Sequence, residues 1–413
     1  MSNTQKKNAP ELRFPEFEGE WKEKKLEDTL EFIKDGTHGT HENVNNGPWL
    51  LSAKNIKNNK IIISSDDRKI SESDYKKIYK NYKLEKGDLL LTIVGTIGRA
   101  AIVKNPNNIA FQRSVAILKT KATYDVGFIF QLFQTKYFKN LLLRKQVVSA
   151  QPGLYLGDIR KIKISITNII EEQRKIGIFF SKLDRQIELE EQKLELLQQQ
   201  KKGYMQKIFS QELRFKDENG NDYPKWEEKK IEDIASQVYG GGTPNTKIKE
   251  FWNGDIPWIQ SSDVKVNDLI LQQCNKFISK NSIELSSAKL IPANSIAIVT
   301  RVGVGKLCLV EFDYATSQDF LSLSSLKYDK LYSLYSLLYT MKKISANLQG
   351  TSIKGITKKE LLDSIIKIPH NLEEQQKIGD LFYKIDKYIS FNKCKIEMLK
   401  SLKQGLLKKC LYK

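Results

Sequence analysis

The chain has 413 residues, too many for one compact core, and at roughly 100–200 residues per domain its length implies two to three domains. Hydrophobic residues make up 40% of it, enough to build those cores, while a formal charge of +19 implies a polyanionic partner, with nucleic acid favoured over an acidic membrane surface. No apolar run approaches the ~20 residues of a bilayer span. The start, MSNTQKKNAPELRF, lacks a signal-like apolar stretch, and Cys274, Cys308, Cys394 and Cys410 show neither a CxxC pair nor zinc spacing; a cytoplasmic protein with reduced thiols and no membrane partner is expected.

In chain order, residues 1–20 form an N-terminal extension and residues 21–167 a first lobe. Aliphatic and β-branched runs bounded by Gly, Asn and Pro place short strands at 61–63, 88–94, 100–103 and 115–118, with a helix near 126–143. Residues 168–210 read as one long helix. A second lobe follows over 211–369, with strands at 295–300, 306–310 and 320–323 and a helix near 332–344; a second long helix closes the chain over 370–413. The expected fold class is α+β: two similar mixed α/β lobes and two long helices forming an antiparallel coiled coil, with pseudo-twofold character.

The two halves repeat. Glu172, Gln173, Lys175, Ile176, Gly177, Phe180, Lys182, Asp184 and Ile187 recur, without a gap and at a constant offset of 202, as Glu374, Gln375, Lys377, Ile378, Gly379, Phe382, Lys384, Asp386 and Ile389. Upstream, Glu11-Leu12-Arg13-Phe14 returns as Glu212-Leu213-Arg214-Phe215, Trp21 as Trp226, Pro48-Trp49 as Pro257-Trp258, Gly98-Arg99 as Gly305-Lys306, and Gln112 as Gln318. Two similar lobes suit a ligand that is itself pseudo-twofold, as duplex DNA is.

Apolar residues of the first long helix recur at alternating spacings of four and three, through Ile176, Phe180, Leu183, Ile187, Leu194, Leu197, Tyr204 and Ile208. The second follows the same register through Ile378, Phe382, Ile385, Ile389, Ile396, Leu399, Leu406 and Cys410. Polar residues interrupt both seams, Glu190 and Lys201 in one and Asn392 and Lys403 in the other. Antiparallel pairing lets Glu190 face Lys403 and Lys201 face Asn392, whereas parallel pairing opposes Lys201 to Lys403. The alternative is that each helix packs only on its own lobe. About 39 helical residues at ~1.5 Å each span ~58 Å, an upper limit of roughly 17 base pairs between half-site centres.

Gly303-Val304-Gly305-Lys306 resembles a phosphate-binding loop, but Thr300 stands where that loop needs glycine and Leu307 where it needs Ser or Thr, so a bend with a basic tip is expected. His38, His41 and Glu42 lie in a glycine-rich stretch without a helix to hold both imidazoles on one side, which disfavours a metal site. No Ser-His-Asp order, paired carboxylates or Asp/Asn-Pro-Pro-Tyr/Phe methylation motif is present, so the chain is expected to be non-catalytic. Residues 22–165 hold 26 Lys/Arg against 14 Asp/Glu, and residues 227–368 hold 18 against 15, so the first lobe should bind phosphates more strongly. Polar residues at matched landmarks are the candidate DNA contacts: Lys54 and Asn55 with Ser262 and Asp263, Arg99 with Lys306, Gln112 and Arg113 with Gln318, together with Arg301.

This layout resembles the specificity subunits of type I restriction-modification systems. The marks that carry the resemblance are Gly241-Gly242-Thr243-Pro244, Trp252, Ile256-Pro257-Trp258 and the Glu-Glu-Gln-x-Lys-Ile-Gly helix start that begins at Glu171 and again at Glu373. The first lobe departs from it with Asp35-Gly36-Thr37-His38. The resemblance implies two target recognition domains, each reading half of a split double-stranded DNA sequence, and adds Thr243 to the candidate contacts. It also implies two methyltransferase subunits and two restriction/translocase subunits as partners, which would bring S-adenosylmethionine, ATP and magnesium; this chain itself would bind no cofactor. It further implies docking surface on the outward coil residues and near Glu172 and Glu374. Competing readings are a stand-alone nucleic-acid-binding scaffold, with structured RNA as one ligand, and a methyltransferase in its own right, which lacks a visible cofactor motif.

Overall fold

A computed structural model describes residues 8–146, 152–265, 268–301, 303–348 and 355–411. It divides into two compact units, residues 1–191 with 394–413 and residues 192–393. Each unit holds one lobe and half of each long helix, Ile170–Phe209 and Leu372–Leu411. Among the described residues no helix is long and apolar enough to cross a membrane.

In the first unit four antiparallel strands run in the order Leu30–Asp35, Val115–Thr120, Leu89–Thr92, Ala100–Ile102. Side chains alternate between the two faces of a strand, and here both faces are buried. Leu89, Leu91, Ala116 and Leu118 enter one core with Phe128, Phe133 and the coil residues Ile176, Phe180, Leu407 and Leu411. Leu90, Val115 and Ile117 enter a second core beneath Leu51, Ile56 and Phe111. The second unit repeats the plan: Ile296 and Ile298 join one core with Phe209, Tyr332, Tyr335 and Phe382, while Ala297 and Val299 join another with Ile259, Val264 and Tyr314. Double-sided burial is why these strands read as unbroken apolar runs.

Several expectations change. The run 61–63 is strand only over Lys60–Ile61, because Ile62 and Ile63 project into solvent. The helix expected near 126–143 is two helices, Val126–Gln134 and Lys136–Arg144; Thr135 is extended and its hydroxyl accepts from the Phe138 N–H at 3.1 Å as the cap of the second. Strands at Lys22–Lys25, Leu30–Asp35, Trp49–Leu51 and Ile109–Phe111 and a helix at Glu72–Asn81 were not expected.

Within each unit the paired helix segments run antiparallel, in a register other than the expected one. Lys403 meets Asp184 at 2.6 Å in the first unit, where Glu190 meets Lys395 and Glu191 meets Lys400; Lys201 meets Asp386 in the second. The expected pairs Glu190–Lys403 and Lys201–Asn392 are thereby corrected, and each lobe supplies the reason. Gln131 donates to Asp184 at 3.0 Å and Tyr335 to Asp386 at 2.8 Å, so the lobe and the partner helix grip the same carboxylate. Asn392 is buried. At the helix ends the buried positions drift by one residue from the expected seam: Met205 replaces Tyr204, and Leu407 and Leu411 are more buried than Leu406 and Cys410. A 3.6-residue turn drifts this way against a 3.5-residue repeat.

The repeated helix start is interior. Glu172 is fully buried and receives Arg13 through Nε at 2.6 Å and Nη2 at 2.8 Å, with the Trp21 indole N–H at 3.3 Å; Glu374 receives Arg214 in the same way. Gln173 accepts from the Asp125 N–H and donates to the Thr167 carbonyl, and Gln375 does so with Asp329 and Pro369. Buried carboxylates already joined to arginine leave nothing for a partner protein, so Glu172 and Glu374 are removed from the expected docking surface.

Candidate nucleic-acid interface

In each lobe a glycine-bearing loop closes on a turn between two strands. In the first, the Thr37 N–H donates to the Phe111 carbonyl at 2.7 Å and the Arg113 N–H returns to the Thr37 carbonyl at 3.0 Å, while the Gln112 N–H reaches the Leu51 carbonyl at 2.8 Å. A Cβ on Gly36 would lie 2.1 Å from the Phe111 oxygen, so only glycine allows this approach. In the second, the Gly242 N–H donates to the Thr316 carbonyl at 2.9 Å and the Ser317 N–H to the Ile259 carbonyl at 3.0 Å. A Cβ on Gly241 would lie 1.9 Å from the Ser317 oxygen, and one on Gly242 2.1 Å from the Ser287 oxygen.

These matching bonds fix which residues correspond. Phe111 answers to Thr316, Gln112 to Ser317 and Arg113 to Gln318; the pairing of Gln112 with Gln318 expected from sequence is one residue out. Leu51 likewise answers to Ile259, so Trp258 falls at the place of Leu50 rather than Trp49. Residue type does not follow backbone position here: the turn from Gln112 to Val115 is as long as that from Ser317 to Phe320, yet glutamine stands one place later in the second lobe, as tryptophan does beside Ile259. Arg99 and Lys306 do correspond, since the Thr92 and Val299 N–H groups donate to their carbonyls at 2.8 and 2.9 Å.

The second lobe brings three candidates together. Thr243, Ser262 and Gln318 line one cavity of about 270 Å³ with Trp252, Gln260 and Lys276. Trp252 and Trp258 meet edge to face at 4.9 Å, the Trp258 indole N–H donates to the Gly242 carbonyl at 3.0 Å, and the Lys276 ammonium stands 5.7 Å from both rings. Lys276 and Gln260 escaped the sequence reading because neither has a matched landmark; Trp252 entered it only as a mark of resemblance. Lys306 approaches the Ser261 carbonyl at 3.4 Å, beside this cavity, and Arg301 is exposed.

In the first lobe Arg113 and Arg99 are exposed, Arg99 reaching the Ile56 carbonyl at 3.5 Å. Lys54 pairs with Asp67 at 2.7 Å, and Asn55 is buried: its oxygen accepts from the Ser52 N–H at 3.0 Å, and its amide donates to Ile62 and to Asp67. Asp263 holds the corresponding turn, accepting from the Gln260 N–H at 2.9 Å and from Asn275 at 2.7 Å. Asn55 is therefore scaffold and is withdrawn as a base contact, while Asp263 braces the matching turn and remains half-exposed. Burial would raise the Asp67 pKa, but the Lys54 ammonium, the Ser64 N–H and the Asn55 amide outweigh it and hold the carboxyl below its ordinary value. His38 bonds Asp35 at 2.5 Å and His41 bonds Thr37 at 3.0 Å.

A family model described as the type I restriction modification DNA specificity domain matches residues 18–199 and 223–401. The chain is 23% identical over 424 residues to the putative type I restriction enzyme MjaX specificity subunit of Methanocaldococcus jannaschii, covering 97% of this chain and 95% of that one. It is 32% identical over 209 residues to the MjaIX specificity subunit of the same organism, where the match spans 48% of this chain and about half (47%) of the relative. Among solved structures, the S subunit of a type I restriction-modification system from M. genitalium aligns with a TM-score of 0.64 at 14% identity, over 98% of this chain and 99% of that one, and so shares the fold.

Proposed function

Since the chain belongs to the type I restriction modification DNA specificity family, we propose that it selects the DNA sequence on which a type I restriction-modification complex acts, each lobe reading one half of a split target. The observation that carries this reading is the repeated turn: the same backbone bonds present Arg113 in one lobe and Gln318 in the other. One frame with two unlike sets of side chains suits an asymmetric, bipartite duplex and not a palindrome. The first lobe, with 26 Lys/Arg against 14 Asp/Glu, supplies more of the phosphate attraction.

In this reading the chain is non-catalytic. Methyltransferase and restriction/translocase subunits, two of each, perform the chemistry and carry S-adenosylmethionine, ATP and magnesium. The test is to replace residues 227–368 with the equivalent lobe of another specificity subunit and map methylated bases across the genome of the cell of origin. One half of a split motif should change while the other persists. An unsplit motif, or change in both halves, overturns the proposal.

A further inference from the structure

Arg113 and Gln318 occupy one position in two lobes, and the backbone beneath each is pinned from both sides. Ahead of each, the Gln112 and Ser317 N–H groups donate to Leu51 and Ile259; after each, the carbonyls of Ser114 and Asp319 accept from Ile93 and Thr300 at 2.9 and 2.8 Å. Each turn is closed by a further bond, Val115 N–H to the Gln112 carbonyl at 3.0 Å and Phe320 N–H to the Ser317 carbonyl at 3.3 Å. Both side chains are exposed, and among the described residues neither has a hydrogen-bond or ion-pair partner. Other candidates are engaged. Lys54 and Lys119 spend their charges on Asp67 and Glu85, and Lys306 rests on a carbonyl.

Neutral glutamine can bond a phosphate as arginine can, but a position kept for phosphate attraction gains from keeping its positive charge, and here charge is not kept: Gln318 is neutral where Arg113 is cationic. What the two share is a flat head with two hydrogen-bonding prongs on an anchored backbone. Arginine's paired donors match O6 and N7 of guanine, and glutamine's donor and acceptor match N7 and the N6 amino group of adenine. A fixed backbone removes the loop-ordering part of the cost of such a contact, and the side chain, not engaged elsewhere, gives up only its own rotamer freedom. Gln318 also stands in the cavity with Thr243, Ser262 and Lys276, whose hydroxyls and ammonium supply the neighbouring polar contacts.

We propose that Arg113 and Gln318 are specificity-determining residues at equivalent points of the two lobes, Arg113 selecting a guanine in one half-site and Gln318 an adenine in the other. This rests on the reading of the lobes as DNA-binding.

The test replaces the chromosomal copy in the cell of origin by Arg113→Gln, Arg113→Ala, Gln318→Arg or Gln318→Ala and maps methylated motifs. Arg113→Gln should shift one position of one half-site from guanine toward adenine, and Gln318→Arg should shift one position of the other half from adenine toward guanine. The alanine variants should relax the same positions, reducing discrimination about tenfold to a hundredfold. Unchanged motifs in all four variants overturn the proposal and leave the two-half-site reading intact. So does uniform loss of methylation by the alanine variants with the chain at its usual level, which makes the residues general contacts. Loss of the split motif in the unsubstituted chain would instead overturn the reading beneath it.

Discussion

Lys201 places its ammonium 2.6 and 2.7 Å from the two carboxylate oxygens of Asp386, and 202 residues later Lys403 repeats the contact on Asp184 at 2.6 Å. Asp386 also accepts the Tyr335 hydroxyl at 2.8 Å, so one carboxylate joins the helix pair to the lobe. Burial, with that carboxylate beside it, pushes the Tyr335 pKa above its ordinary value and keeps the hydroxyl a donor.

Asp386→Ala would strand an ammonium that is only 17% exposed together with a buried tyrosine hydroxyl. The second unit should lose about 2–3 kcal/mol, less than a fully buried pair because solvent still reaches both charges. Asp386→Asn keeps an acceptor for Tyr335 and should lose about half as much. Denaturant unfolding followed by hydrogen exchange within residues 192–393 measures both. Equal losses for the two variants would mean that the charge contributes nothing.

The first lobe carries a pH-sensitive turn at Asp67. Its carboxyl is held below the ordinary value, so the stability it adds is full above the unfolded pKa near ~3.9 and is lost as pH falls through the lower folded pKa. Asp67→Asn removes that titration. Stability of the first unit in the variant should be lower at neutral pH and should fall less steeply on acidification below about pH 4. Parallel acid titrations of the unsubstituted chain and the variant, read by thermal unfolding, check the slope; identical slopes would remove Asp67 from the account.

Much of this frame was legible in the sequence, for identifiable reasons. The helices repeat at one offset without gaps, and their shared residues meet the same kinds of partner: Glu172 and Glu374 arginines, Gln173 and Gln375 loop backbones, Asp184 and Asp386 lysines. Asp184 and Asp386 stood among the shared identities, yet lying off the apolar seam they gave no sign that they set its register. Strands such as Lys22–Lys25 are short and charged, and they exist only through pairing with residues more than a hundred positions away, Lys22 with Ile166. In the loops a shared residue type misleads: the turn is equally long in both lobes, and Gln318 resembles Gln112 in type although the backbone bonds match it to Arg113.

Two helix glycines at different places in the same repeat carry opposite expectations. By propensity alone, glycine to alanine inside a helix gains up to about 1 kcal/mol. At Gly405 nothing lies within 4 Å of an added Cβ, so Gly405→Ala should realise most of that gain. At Gly379 the Cβ would lie 2.8 Å from Leu331 Cβ, 2.8 Å from the Tyr332 nitrogen and 2.9 Å from an Asp329 oxygen. The lobe cannot easily yield there, because the Tyr332 N–H is bonded to that Asp329 oxygen at 2.8 Å and the Asp329 N–H to Gln375 at 2.9 Å. Overpacking of this kind costs about 1–3 kcal/mol or more, which outweighs the propensity gain, so Gly379→Ala should be net destabilising. Gly177 faces the same arrangement, with Asp125 at 2.7 Å and the Phe128 nitrogen at 3.0 Å, and Gly177→Ala should behave alike in the first unit. Thermal unfolding of the three variants decides it: stabilisation by Gly379→Ala and Gly177→Ala, in step with Gly405→Ala, would show that the helix start does not need its close approach to the lobe.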